Sequence, residues 1–216
     1  MIAGSETSIP LLECRAGELC ELSANPGSIF WESIAPVTFR EAFDGKSPRQ
    51  ATHLRCAWNA SELRLLFQCE DDYVWATLTE RDGALYTEEV VEIFLDPVGD
   101  LESYFEIEVN PLNTVLDLVL RKSPSGYRKD FSWRCEGLQT RAEKDDAGWN
   151  LEVSIPFGSL TAEPPTAGTR WRMNFCRIDR PLGRDRELSA WSPPGRGSFH
   201  TPERFGTVQF TDSLFF

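Results

Sequence analysis

The sequence predicts an all-β domain built as an antiparallel β-sandwich, and three observations carry that reading. Apolar and polar residues alternate over many short runs, as strands with one buried face require. Most runs are bounded by proline, glycine, asparagine or aspartate, which supply turn conformations or end a hydrogen-bonded ladder. Helical periodicity is scarce, with FGSL at 157–160 the one short helical turn the pattern suggests.

In chain order, THLRCAW (52–58) and ELRLLFQCE (62–70) flank Asn59-Ala60-Ser61 and read as a hairpin. EVVEIFLDP (89–97), SYFEIEVNP (103–111), NTVLDLVLR (113–121), WNLEVSIPF (149–157) and TRWRMNFCRID (169–179) continue the series, and FGTVQF (205–210) closes it. This spacing gives about nine to eleven strands in one domain over residues 1–216. SPPGRGSFHTP (192–202) is too short for a domain linker and reads as a loop.

Alternation assigns faces. Val91, Ile93 and Leu95 share one side of their strand, and Glu92, Phe94 and Asp96 the other. In the next, Ile107 and Val109 oppose Glu106, Glu108 and Asn110. In the third, Leu116, Leu118 and Leu120 oppose Val115, Asp117 and Val119. Placed side by side, these strands predict an apolar inner face and an outer face carrying Glu92, Glu106, Glu108, Asn110 and Asp117.

Composition narrows the partners. Aspartate plus glutamate number 34 against 22 lysines and arginines, for a net charge of -12. With no basic cluster, nucleic acid and anionic membranes are poor partners. No apolar stretch approaches the ~20 residues of a membrane span, and the first 20 residues lack the charged and apolar regions of a signal peptide. The chain as given therefore reads as soluble, with its compartment undecided and no prediction of oligomeric state. Six cysteines, at 14, 20, 56, 69, 135 and 176, lack CxxC spacing; 56, 69 and 176 sit in apolar runs as buried thiols, and a Cys14–Cys20 bridge is left open.

A sheet face rich in carboxylates and amides, with aromatics at loop edges, suits sugar recognition. Hydroxyls meet planar acceptors and donors while the C–H face of a pyranose stacks on a ring. Trp75, Tyr86 and Trp191 lie in or beside the loops. The plain alternative is a solvated acidic face. A glycosidase would need carboxylates about 5 to 9.5 Å apart across a scissile bond, which Glu92 with Glu106 or Glu108 could supply. Nucleophilic catalysis has no G-x-S-x-G elbow and only His53 and His200 as bases. Zinc and haem lack ligand sets; calcium has hard oxygens at Asp71 and Asp72 in CEDDYV, where solvated turns are the simpler reading.

The succession LRLLFQCED, LYTEEVVEIFLDP, a strand ending VNP, then MNF, SAWSP and a terminal FGTVQF resembles the carbohydrate-binding modules of family 9 and their stand-alone relatives. The likeness spans roughly 39–210, leaving 1–38 as an N-terminal extension. It implies a DOMON-like β-sandwich, a non-catalytic domain that holds a mono- or oligosaccharide or a polysaccharide end between two aromatic rings. Carried over, the rings are Tyr86 and Trp191 and the strand acceptor is Glu92. Glu108 stands where the modules present a basic residue, which makes the groove acidic; Asn110 and Arg177 are further candidate contacts. No cofactor is required, although some members hold structural calcium, which draws attention to Asp71 and Asp72. A hydrolase acting through the acidic face, or an interaction module with a decayed sugar site, are the competing expectations.

Overall fold

The computed structural model describes residues 9–212. Fourteen strands are found among them, most of them where alternation places strands. β1 is Leu11–Ala16, β2 Val37–Thr38, β3 Arg40–Glu41, β4 Thr52–Trp58 and β5 Glu62–Glu70. β6 is Val90–Asp96, β7 Ser103–Val109, β8 Val115–Ser123, β9 Gly126–Asp130 and β10 Gln139–Asp145. β11 is Gly148–Pro156, β12 Arg170–Asp179, β13 Glu187–Ala190 and β14 Gly206–Thr211. The helical content among the described residues is one four-residue helix, α1 (Ile29–Glu32), and three single 3-10 turns, one of them at Phe157–Ser159.

Hydrogen bonding runs without a break through β10-β11-β5-β4-β1-β14-β12-β6-β7-β8-β9. This curled sheet folds over itself into a sandwich. The β4–β5 hairpin is turned by Asn59, whose Oδ1 accepts the Ser61 and Glu62 amides at 2.8 and 3.0 Å. β1 is the element that joins the two halves: it pairs parallel with β14 on one side and with β4 on the other. β1 and β2, both before residue 39, are thus paired into the sheet, and among the described residues the sandwich is antiparallel apart from β1.

The main core lies between the halves. Leu54, Leu65, Phe67, Leu151 and Val153 from one side meet Val91, Ile93, Ile107, Met173, Phe175 and Phe210 from the other. A second apolar cluster covers the outer face of β12-β6-β7-β8: Phe94, Tyr104, Leu116, Leu118 and Leu120 pack under Leu188 from β13 and Phe199 and Phe205 from the loops after it. The predicted inward placement of Leu116, Leu118 and Leu120 is therefore corrected. In register they lie beside Glu108, Glu106 and Tyr104 on the outer face. Asp117, opposite Ile107, points inward, where the Cys135 amide donates to it at 2.8 Å and Arg81 and Arg134 neutralise it at 2.7 and 3.1 Å. Cys14, Cys56, Cys69, Cys135 and Cys176 are buried thiols; Cys20 is exposed, and both it and Cys14 are free.

Candidate functional site

The outer face of the second half holds an open cavity of about 330 Å³. Its floor comes from β6 and β7. Glu92 pairs in register with Glu108, and Glu106 lies two residues along β7 on the same face. Strand pleat alone therefore aims three carboxylates at one point. One oxygen from each lies within 4.8 Å of the other two. The rim is Tyr86, from the 3-10 turn Leu85–Thr87, together with Lys129, Arg186 and the loop Ser198-Phe199-His200.

The electrostatics of the floor are lopsided. All three carboxyls are nearly fully buried. Burial, then the charge of Glu106, pushes Glu92 up to about 8. Burial and the two neighbouring glutamates push Glu108 well above the usual carboxylate range, and burial raises Glu106. Lys129 stands 3.7 Å from Glu106 Oε2 and His200 Nε2 3.9 Å from Oε1. Neither oxygen of Glu108 has a hydrogen-bond partner. His200 is held by the Tyr104 hydroxyl at 3.1 Å, and burial lowers it to about 4, so its ring is neutral near pH 7. Tyr86 is 45% exposed, and Lys129 Nζ sits 5.6 Å from its ring centre. The cavity thus offers buried acceptors below, cationic donors at the edge and an aromatic face beside them.

Of the residues singled out from sequence, the structure brings Tyr86, Glu92 and Glu108 to this cavity and places the other three elsewhere. Trp191 is 7% exposed and packs in the main core against Phe175, ring centres 5.6 Å apart. Gly206 exists for that ring: a Cβ there would stand 2.3 Å from Trp191 Cζ3. Arg177 is 1% exposed and faces the inside of β12. Its Nη2 lies 2.9 Å from both Asp71 Oδ2 and Glu89 Oε1, and Nη1 donates to the Glu70 carbonyl at 2.8 Å. It does not balance the charge of the floor. Asn110 shapes a turn, accepting from the Leu112 and Thr114 amides and donating to the Leu78 carbonyl at 2.8 Å.

Asp71 and Asp72 part company. Asp71, Glu89 and Asp179 bring carboxylate oxygens within 4.8 Å, but the Arg177 guanidinium takes the place between Asp71 and Glu89 that a calcium ion would need. Asp72 is exposed and outside that group. These residues fit an internal guanidinium rather than a metal. Glu88 is likewise a structural acid, accepting from the Thr77 and Leu78 amides at 2.6 and 3.0 Å.

Lys129, Arg186, Phe199 and His200 were the cavity residues that sequence reasoning missed or left open. Lys129 sits opposite Leu120 in register and so shares the face of Tyr104, but its strand β9 has almost no apolar alternation to reveal this from sequence. The loop residues had none, because pleat does not extend into loops.

Comparison with known proteins agrees with this architecture. A protein of Arthroderma benhamiae described as an extracellular protein is 26% identical over 196 residues, covering 83% of this chain and 86% of that one. A presumed carbohydrate-binding protein from Bacteroides uniformis superposes with a TM-score of 0.75 at 20% identity, over 94% of this chain and all of that one. A family 9 carbohydrate-binding module from Caldicellulosiruptor kristjanssonii in complex with cellotriose gives 0.74 at 15% identity, over 95% of each chain. One from the same organism in complex with glucose gives 0.70 at 14%, over 95% of this chain and 97% of that one. Residues 27–213 match the carbohydrate family 9 binding domain-like family, to which this chain belongs.

Proposed function

We propose that this protein is a non-catalytic carbohydrate-binding domain whose saccharide occupies the cavity between Tyr86, the Glu92-Glu106-Glu108 floor and the Phe199-His200 loop. The observation that carries the reading is the cavity itself: buried acceptors and an exposed ring meet in a space open to solvent. Family membership supports it, as do the similar modules in complex with cellotriose and glucose. Tyr86 stacks on one face of the terminal sugar, while Glu92 accepts from its hydroxyls and Lys129 and Arg186 donate to its oxygens. The second ring of the sequence-based expectation is not Trp191 in this reading; Phe199 and His200 form the opposing wall.

The same geometry argues against hydrolysis. Three carboxylates within 4.8 Å on one floor do not bracket a scissile bond from two sides. Titration calorimetry against glucose, cello-oligosaccharides and a broad glycan panel tests the proposal, with Tyr86→Ala and Glu92→Gln as controls. Saturable binding lost in both folded variants is the expected result. No binding to any glycan at millimolar concentration would instead favour an interaction module without a working sugar site.

A further inference from the structure

The floor of the cavity gathers more carboxyl groups than the cations around it can pair. Glu92, Glu106 and Glu108 bring three carboxyls to one point, and Lys129 at 3.7 Å is the one cation in ion-pair contact with them among the described residues, His200 at 3.9 Å being neutral. Both oxygens of Glu108, a residue 1% exposed, are buried and without a hydrogen-bond partner, as is Oε2 of Glu106. Unpaired buried carboxyl oxygens are costly, so a fold that keeps three of them beside an open cavity has a use for them as ligands.

We propose that Glu92, Glu106 and Glu108 hold a calcium ion at the floor of the cavity, and that this ion bridges the protein to two adjacent hydroxyls of the bound saccharide. Oxygens on one calcium ion at 2.3–2.6 Å lie at most about 4.6–5.2 Å apart, and the carboxylate oxygens here lie within 4.8 Å. The donor set is oxygen alone, which suits a hard cation. Calcium takes about 6–8 oxygens, so three carboxylates leave positions facing the cavity, where a vicinal diol can enter. Magnesium holds its waters more tightly and leaves less room for sugar oxygens. The charge also closes once the ion displaces the protons that burial holds on these carboxyls: two positive charges from the ion and one from Lys129 meet the three carboxylates. This site is separate from Asp71, Glu89 and Asp179, where Arg177 already serves as the cation.

The bridging half of the proposal rests on the cavity being the saccharide site, and two measurements keep the halves apart. First, calcium alone is titrated into metal-free protein and into Glu108→Gln and Glu106→Gln, with circular dichroism and melting curves as checks on folding. One ion per chain, a calcium-dependent rise in melting temperature and at least about tenfold weaker binding in the folded variants are expected, since ligand charge sets affinity. Absence of calcium binding at millimolar concentration, or equal binding by wild type and both variants, overturns the site. Second, a saccharide that binds the wild type is titrated with calcium and with a chelator. At least about tenfold weaker binding in the chelator supports the bridge, and unchanged affinity overturns it. Calcium binding with no glycan bound by any form would remove the sugar reading and the bridge while leaving the cation site standing.

Discussion

Replacing Arg177 with methionine separates a structural cation from a sugar contact. Its guanidinium is buried and meets Asp71 and Glu89 at 2.9 Å, with Asp179 Oδ1 3.9 Å away. Methionine preserves much of the apolar volume but leaves three carboxyls without their cation. Removing one partner of a buried ion pair costs about 3–5 kcal/mol. Glu89 already stands at about 8, through burial opposed by Arg177, so it holds a proton near neutral pH with or without the guanidinium, which places the loss toward about 3 kcal/mol. In a chain of this size each kcal/mol moves the melting temperature by about 2–4 °C, giving a drop of about 6–12 °C. The deficit should grow from pH 5 to pH 7.5, because burial raises Glu89 and Asp179 and, without the guanidinium, each must ionise uncompensated as pH rises. Urea and thermal denaturation at both pH values measure it. A loss under about 1 kcal/mol, or intact stability with sugar binding abolished, would refute the internal role assigned to Arg177.

Three further outcomes follow from the geometry. Trp191→Ala should cost about 3–5 kcal/mol in urea denaturation, as expected for a large buried aromatic, and unchanged stability would contradict its core placement. Tyr86→Ala should leave stability within about 0.5 kcal/mol, the ring being half-exposed, while weakening saccharide binding about 3- to 10-fold by calorimetry. Loss of fold instead would show the ring to be a packing residue. Glu92 has a folded pKa of about 8 against an ordinary 4.5, so folding takes up a proton between those values and stability falls as pH rises through that window. In chelator, Glu92→Gln should flatten the decline by up to about 1.4 kcal/mol per pH unit, and an unchanged slope would sink the assignment.

Where alternation was strong the strands were legible, and where an edge was polar they were not. ELRLLFQCE coincides with β5 from Glu62 to Glu70 because every residue belongs to a run with turn chemistry at its start. β9 and β10, GYRKD and QTRAEKD, have almost no apolar parity, since edge strands keep much of their surface in water. β1 was missed although Leu12 and Cys14 alternate inward, because six residues beside an irregular segment give a weak signal. Parity also could not say which face of β8 was covered. Both faces are apolar, and the outer one is buried only because Leu188, Phe199 and Phe205 return over it.

The site divides along the same line. Pleat brought Glu92 and Glu108 together with Glu106 because strands have a fixed period. Trp191 immediately follows β13, where composition favours a loop-edge ring, but Gly206 opens the space that draws it into the core. Arg177 shares a face with Phe175 and Asp179, and its partners Asp71 and Glu89 come from distant segments that no local pattern connects to it. The acid-rich LYTEEVVEIFLDP thus resolves into distinct duties: Glu88 fastens a loop, Glu89 accepts a hydrogen bond from Arg177 and Glu92 floors the cavity.

The most direct test of the saccharide site is amide and side-chain chemical-shift mapping of labelled protein during titration with cellotriose, with calcium present. Saturable shifts at Tyr86, Glu92, Glu108, Lys129 and the Ser198-Phe199-His200 loop, with the Trp191 indole unmoved, are the predicted result. Saturable shifts centred on Trp191 or Asn110, with the cavity silent, would contradict it.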